Sequence, residues 1–197
     1  MEPVITVSGT VVPLDRSDVD TDQIIPSDWL KRVERTGFEK GLFAEWRDDP
    51  EFVMNHEHHV GANILIAGEN FGTGSSREHA VWALQQHGFD AVVSPRFGDI
   101  FRNNSTKNGL VPVQLTHDGV ATLMAAVTDN PELDITIDVE RLVVEAPEAD
   151  FEESFPLDSS TQHKFLNGLD DISITMGHSE KISTHEDARH SWMPTTK

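Results

Sequence analysis

Residues 63–88 read NILIAGENFGTGSSREHAVWALQQHG, and this stretch decides the fold that the rest of the chain must fit. The run 64–67 is short, continuous and apolar, which is typical of a strand buried on both faces. A loop over 68–76 follows, and residues 77–87 carry apolar positions at helical spacing. Gly88 stands where a helix C-cap belongs. The stretch therefore predicts a strand, a glycine-rich loop and a helix in succession.

The segments that follow repeat this alternation of strand and helix. Strands are predicted at 91–93 and 110–115, and helices over 97–107 and 118–128. Alternation of this kind favours a small parallel sheet. Pro112 cannot donate to a sheet ladder, so we expect the 110–115 strand at an edge or a bulge.

The two ends of the chain carry a different pattern. Residues 4–14 are rich in β-branched side chains and predict a strand or hairpin entry. Residues 133–139 and 141–146 resemble a β-hairpin, and 151–155 predict a further strand. These segments favour an antiparallel layer beside the parallel one. The residues alone therefore predict a mixed α/β domain with two β layers.

The C-terminal part of the chain is less regular. Asp158 is predicted to cap a helix that ends at Gly168, and residues 172–176 are predicted to form a last strand. Beyond them the sequence is polar and shows no periodicity. We therefore expect one domain over residues 1–176 and a polar, mobile tail over 177–197.

Composition excludes several classes of function. The chain carries 15 basic and 34 acidic side chains, a net charge of −19 that repels nucleic acid and anionic lipid. Nine of the 15 basic residues lie between Lys31 and Lys107, so an anion is expected to bind there. There is no cysteine, which excludes disulfides, a thiol nucleophile and thiolate-bound metal. Without a signal-peptide pattern or an apolar run of about 20 residues, the expected location is the cytoplasm.

The loop 72–77, Gly-Thr-Gly-Ser-Ser-Arg, has the composition of an anion site. Glycines allow positive φ and a close approach of the backbone to a ligand, and unpaired N–H groups at a helix start favour negative charge. Two serine hydroxyls add donors, and Arg77 can pair bidentately with a carboxylate or phosphate. The alternative is an ordinary capped helix with Ser75 or Ser76 as its N-cap.

Three familiar motifs do not fit this loop. It lacks the Gly-Lys-Ser/Thr of a Walker phosphate loop and the glycine spacing of a dinucleotide fingerprint. The sequence also lacks the Gly-x-Ser-x-Gly of a nucleophile elbow.

The loop is one of five strings that occur together over roughly residues 7–176. They are 20–26 (DTDQIIP), 29–38 (WLKRVERTGF), 71–80 (FGTGSSREHA), 94–104 (SPRFGDIFRNN) and 168–172 (GLDDI). Together these strings resemble the swivelling domain of the aconitase superfamily, and within it the small-subunit family of the 3-isopropylmalate dehydratases. The resemblance implies a three-layer β/β/α swivelling domain of the aconitase C-terminal type over residues 1–176.

The resemblance also implies a partner and a reaction. In this family three cysteines of a large subunit hold a [4Fe–4S] cluster, whose iron acts as a Lewis acid on the substrate hydroxyl and carboxylate. The reaction interconverts 2-isopropylmalate and 3-isopropylmalate through 2-isopropylmaleate, in leucine biosynthesis. The absence of cysteine in this chain agrees with a cluster held by the large subunit. We therefore expect this chain to bind no cofactor itself and to be inactive without the large subunit.

Residue roles are also implied by the resemblance. Ser75 matches the superfamily's base, an alkoxide that takes a proton from the carbon next to a carboxylate. Gly74, Ser76 and Arg77 match contacts to the dicarboxylate substrate. The 29–38 string is expected to add substrate contacts. Lys31 or Arg32 would meet a carboxylate, and Val33 or Leu30 would touch the isopropyl group. The alternative for this string is a solvated basic helix end.

Other side chains are interpreted as structural. The histidine-rich run 55–59 lacks the His-Glu-x-x-His spacing of a metalloprotease and is predicted to be a solvated loop. Asp20 and Asp22 are expected to hold a turn through hydrogen bonds to nearby N–H groups. His79 is expected to orient the glycine-rich loop.

Two other functions stay open at this stage. One is another two-chain hydro-lyase of the superfamily, acting on homoaconitate, citraconate or a citrate-like acid, which would need an extra cation in the Lys31–Arg35 segment. The other is a non-catalytic module that senses a dicarboxylate or phosphate with the same loop. Tight anion binding by the isolated chain would favour that module.

Overall fold

The structure is a computed structural model that describes residues 1–31, 34–190 and 192–193. Within these ranges eight strands form two four-stranded sheets. The strands, numbered in chain order, are β1 (Thr6–Gly9), β2 (Val11–Leu14), β3 (Ile64–Ala67), β4 (Ala91–Ser94), β5 (Val111–Gln114), β6 (Ile135–Asp138), β7 (Val143–Ala146) and β8 (Phe151–Ser154).

Seven α-helices lie in the described ranges, and short 3-10 turns connect some of the other elements. The α-helices are α1 (Thr21–Ile24), α2 (Glu78–His87), α3 (Asp99–Asn108), α4 (His117–Asp129), α5 (Ser159–Asn167), α6 (Asp171–Met176) and α7 (Ser179–Asp187). The 3-10 turns are Ser27–Lys31, Phe38–Gly41, Val53–Asn55, Glu57–His59 and Pro147–Ala149. Each of these described helices is too short or too polar to span a bilayer.

The parallel sheet has the order β2-β3-β4-β5, so neighbouring strands are also consecutive along the chain within this sheet. Every residue of β3 and β4 is buried, which confirms the interpretation of their continuous apolar runs. The edge position predicted from Pro112 is also confirmed, because β5 pairs only with β4 in this sheet.

The antiparallel sheet has the order β1-β6-β7-β8. The predicted hairpin is confirmed as β6 and β7, with Ile137 opposite Val144. Residues 4–14 divide between the two sheets. β1 pairs with β6 in the antiparallel sheet, whereas β2 pairs with β3 in the parallel one. The N-terminal strands therefore link the two β layers through Gly9 and Thr10.

The three layers meet in two buried clusters on opposite faces of the parallel sheet. Side chains alternate along β3, so that Ile64 and Ile66 enter one cluster and Leu65 and Ala67 the other. The cluster with Ile64 and Ile66 also contains side chains of β6, β7, α4 and α5. The cluster with Leu65 and Ala67 also contains side chains of α2 and Phe101 of α3. The expected three-layer β/β/α arrangement is confirmed.

Helix ends follow their local sequence. Gly88 and Gly109 end α2 and α3 with φ values of 114° and 89°, a left-handed conformation that glycine adopts at low cost. Asp158 caps α5 as predicted, because its side chain accepts a hydrogen bond from the Thr161 N–H.

The predicted strand at residues 172–176 is wrong, because these residues belong to α6. Asp170 caps that helix by accepting a 2.6 Å hydrogen bond from the Ser173 N–H. Hydrogen bonding by the Ser173 side chain, and then by its N–H, lowers the pKa of the Asp170 carboxyl. Ile172 stays 73% exposed instead of pairing into a sheet. The tail contains a second exposed helix, α7, and the predicted domain boundary after residue 176 stays a prediction.

The burial of Ile66 and the exposure of Ile5 predict that alanine substitutions at these two positions differ strongly in their effect on stability. We expect Ile66→Ala to lower the free energy of unfolding by about 2–5 kcal/mol, because it leaves a cavity at a fully buried position of β3. Ile5→Ala is the control, because Ile5 is 53% exposed and should cost less than about 1 kcal/mol. Urea unfolding of both variants measures the difference, and equal losses would contradict the assigned core.

Candidate active site

The glycine-rich loop lies at the carboxyl ends of three parallel strands. Residues 68–77 follow β3, residues 15–22 follow β2, and residues 95–98 follow β4. Because these strands are parallel neighbours, all three loops lie at one edge of the sheet. Ligand sites of open parallel sheets form at this edge.

Backbone hydrogen bonds hold the middle loop between the other two. On one side the Gly72 N–H donates to the Val19 carbonyl at 2.7 Å, and the Thr21 N–H donates to the Thr73 carbonyl at 2.9 Å. On the other side Phe71 forms a parallel bridge with Phe97. The loop therefore continues the sheet pairing for several residues beyond β3.

Positive φ is confirmed at both loop glycines, with 74° at Gly72 and 90° at Gly74. A Cβ at Gly72 would collide with the Phe101 ring of α3. Gly72 therefore serves close packing as well as backbone conformation. Gly74 is exposed, so its backbone is open to solvent, and its contact with a substrate stays a prediction.

The serines are presented by the loop and do not cap the helix. The N-cap of α2 is Arg77, whose side chain makes no capping hydrogen bond, so the alternative of Ser75 or Ser76 as N-cap is wrong. Both serines are exposed. The Ser75 carbonyl accepts a 3.0 Å hydrogen bond from the buried Thr21 hydroxyl. This hydrogen bond fixes the backbone of Ser75 and does not involve the Ser75 hydroxyl.

Arg77 is held from the 20–26 segment. Its Nη1 lies 2.5 Å from the Asp22 carboxylate and donates to the Ile25 carbonyl at 3.4 Å. The Arg77 side chain is only 15% exposed, so the ion pair is sheltered on the arginine side. This pair joins two sequence strings that lie 55 residues apart, and sequence reasoning missed it because nothing local to either string predicts the contact.

The two aspartates of the 20–26 segment have different roles. Asp20 holds the turn as expected, because its carboxylate accepts from the Gln23 N–H at 2.8 Å and the Gln23 side chain accepts from the Asp20 N–H. Asp22 instead pairs with Arg77, so the expectation that it also holds the turn is wrong.

The second predicted contact region is only partly described. Arg32 and Val33 lie outside the described residues. Lys31 is exposed and its ammonium lies 2.7 Å from the Asp28 carboxylate. That hydrogen bond and its charge raise the pKa of Lys31 and lower the pKa of Asp28. The structure thus brings Gly74, Ser75, Ser76 and Arg77 together in one loop, and the contact of Lys31 with a substrate stays a prediction.

The histidines singled out by sequence make ring contacts. His79 is half-buried and contacts Phe38 and Trp82 edge-on, with ring centroids 5.2 and 4.8 Å away. His56 and His59 stack on each other in the 55–59 run. In the part of the chain that the structure describes, no group of three histidine or acidic side chains is arranged to hold a metal ion.

Comparison with known families defines the class of this fold and loop. The family model described as the aconitase C-terminal domain matches residues 1–118, which include the Asp20–Pro26 segment and the glycine-rich loop. A second family model, described as the C-terminal domain of the 3-isopropylmalate dehydratase small subunit, matches residues 171–197. The molecule is thus a domain of the aconitase C-terminal class.

Full-length relatives narrow the class to one family. The chain is 54% identical to a 3-isopropylmalate dehydratase small subunit from Rubrobacter xylanophilus, over 98% of each chain. It is 55% identical to one from a Parafrankia species, over 100% of each chain. A crystal structure of 3-isopropylmalate dehydratase from Methanocaldococcus jannaschii shares the fold, with a TM-score of 0.65, 23% identity and coverage of 91% of this chain and 99% of that one. The chain belongs to the family of 3-isopropylmalate dehydratase small subunits.

The packing of Gly72 predicts a second difference in stability. We expect Gly72→Ala to lower the free energy of unfolding by about 2–5 kcal/mol, because the added Cβ is strained at positive φ and also collides with Phe101. Gly61→Ala is the control, since Gly61 has a φ of 87° and open space around a Cβ, and should cost only about 1–2 kcal/mol. Equal losses in chemical denaturation would show that Gly72 serves backbone conformation alone.

Proposed function

We propose that this chain is the small subunit of a hydro-lyase that interconverts 2-isopropylmalate and 3-isopropylmalate through 2-isopropylmaleate, in leucine biosynthesis. The family assignment supports the reaction, because the full-length relatives have the name of that enzyme's small subunit. The observation that carries the site is the placement of exposed Ser75 and Ser76 beside Arg77, a largely buried cation that forms an ion pair with Asp22. A loop of this kind offers a hydroxyl and a fixed cation to one small dicarboxylate.

Ser75 is the proposed base. In dehydration Ser75, acting as its alkoxide, takes the proton from the carbon next to a carboxylate and becomes the neutral hydroxyl. The carbon–carbon double bond forms as the hydroxyl group leaves the neighbouring carbon as hydroxide, for which the cluster of the large subunit would supply the Lewis acid. A free serine is a poor base, so the oxygen needs donors that stabilise negative charge. Helix α2 starts three residues after Ser75, and the side chain of its N-cap, Arg77, makes no capping hydrogen bond. The partial positive charge of this helix start can therefore stabilise the negative charge on the Ser75 oxygen.

Arg77 is the proposed carboxylate contact. A guanidinium carries five N–H donors in one plane, and both contacts described above use Nη1. The other N–H groups of the Arg77 guanidinium can therefore bind a substrate carboxylate, while Asp22 and Ile25 keep the guanidinium plane oriented. Gly74 and Ser76 complete this contact with a backbone approach and a hydroxyl. Lys31, Arg32 and Val33 are proposed to meet the remaining carboxylate and the isopropyl group.

The [4Fe–4S] cluster of the reaction does not fit this chain. Thiolates hold such clusters, and the sequence has no cysteine. We therefore place the cluster on the large subunit, with the substrate enclosed between the two chains. On this chain, catalysis reduces to holding the substrate carboxylate and moving one proton at the Ser75 oxygen.

The assignment of the base is tested in the reconstituted pair. The small subunit is mixed anaerobically with a cluster-loaded large subunit, and 2-isopropylmaleate is followed by its ultraviolet absorbance. We expect activity only in the pair, and a roughly 10²- to 10⁴-fold lower kcat with Ser75→Ala, because the proton loses its acceptor. Ser76→Ala is the matched control and should act mainly on KM.

Each other outcome has a defined meaning. A Ser75→Ala pair with wild-type kcat would leave the reaction in place and remove the proposed base. A wild-type pair that ignores isopropylmalate but hydrates another unsaturated diacid would show that the substrate is wrong. If the pair turned over none of these acids while the isolated chain bound them tightly, the non-catalytic binding module would replace the enzyme.

A further inference from the structure

The segment 26–37 is tied to helix α2 at both of its ends. At its start the Ile25 carbonyl accepts a hydrogen bond from Arg77, the N-cap of α2. At its end two hydrogen bonds reach Gln86, near the last turn of the same helix. The two attachment points are nine residues apart, or about 14 Å along a helix. The segment is therefore anchored to α2 before and after the residues proposed to contact substrate.

Gln86 makes a paired contact that few side chains can make. Its Oε1 accepts from the Phe38 N–H at 2.9 Å, and its Nε2 donates to the Arg35 carbonyl at 2.8 Å. A carboxamide has one acceptor and one donor group side by side, so it can bind a backbone N–H and a backbone carbonyl together. The end of the segment is therefore held in position and in orientation.

Ring contacts support the same attachment. Phe38 is 1% exposed and packs edge-on against His79 and tilted against Trp82, which lie one turn apart on α2. The Arg35 guanidinium lies 5.7 Å from the Trp82 ring. His79, Trp82 and Gln86 are spaced i, i+3 and i+7, so one face of the helix receives the end of the segment.

We propose that Gln86 is a positioning residue for substrate recognition. Its two hydrogen bonds hold Arg35 and Phe38 against α2, the helix that follows the loop carrying Ser75 and Arg77. This inference rests on the proposed function, because it assigns a substrate contact to residues 31–33. Gln86 is exposed on the helix surface. We therefore expect it to act through its two hydrogen bonds and not through burial of apolar surface.

A matched pair of variants separates this role from a general effect on the helix. Gln86→Met keeps the length and helix propensity of the side chain but removes both hydrogen bonds. Gln85→Met is the control, because the neighbouring Gln85 donates to the Asn108 carbonyl at 2.8 Å and contacts α3 instead. In the reconstituted pair we expect Gln86→Met to raise KM for 3-isopropylmalate roughly 5- to 20-fold with kcat within about twofold, and Gln85→Met to change neither.

A second readout needs neither the large subunit nor turnover. Trypsin cleaves after Arg35, whose carbonyl is bonded to Gln86, and cleavage of a folded chain requires local opening. On the full-length chain, Gln86→Met should raise the rate of cleavage at this bond about fivefold or more relative to wild type and Gln85→Met.

The two readouts decide the proposal together. Faster cleavage with an unchanged KM would overturn it, because Gln86 would then hold the segment without affecting the substrate. A fall in kcat alone would also overturn it, since the effect would be on the chemistry of Ser75. Wild-type pairs without isopropylmalate turnover would contradict the proposed function itself, and the substrate role of Gln86 would fall with it.

Discussion

The rest of the site depends on the hydrogen bonds that hold the glycine-rich loop beside the 15–22 segment. The Gly72 N–H reaches the Val19 carbonyl, and the Thr21 N–H reaches the Thr73 carbonyl, so the loop is paired like a strand before it turns into α2. This pairing requires glycine at position 72, because Phe101 occupies the space of any Cβ there. It also brings Asp22 within reach of Arg77 and the Thr21 hydroxyl within reach of the Ser75 carbonyl. An exposed serine can therefore be held in a defined place by contacts to its backbone alone.

The charge of the chain fits a division of work between two subunits. A protein with a net charge of −19 is a poor general binder of anions, so a dicarboxylate needs a local arrangement of donors. In the proposed site, this arrangement combines the start of α2 with Arg77, which forms an ion pair with Asp22. The absence of cysteine leaves cluster chemistry to the proposed partner. In the proposed function, the small subunit contributes a proton acceptor and a fixed cation to a site that the large subunit completes.

Sequence patterns predicted the elements whose burial is uniform and missed contacts between distant segments. The buried runs at 64–67 and 91–93 were assigned correctly because strands covered on both faces leave a continuous apolar signal. Residues 172–176 were assigned wrongly because alternating isoleucines mimic a strand, whereas the cap from Asp170 starts a helix. The Asp22–Arg77 pair and the Gln86 contacts left no local signal, since each depends on tertiary packing between segments far apart in sequence.

The role of the 15–22 segment in the proposed function is to fix the backbone of Ser75, in particular through the Thr21 hydroxyl. Its most direct test is the kcat of the reconstituted pair with Thr21→Val, which keeps the buried shape but removes the hydroxyl that donates to the Ser75 carbonyl. We predict a roughly 10- to 100-fold lower kcat with little change in KM, because a small displacement of the base is costly. A kcat within about twofold of wild type, in a variant that folds normally, would contradict the role of the Thr21 hydroxyl and leave the backbone hydrogen bonds at Gly72 and Thr73 to position the serine.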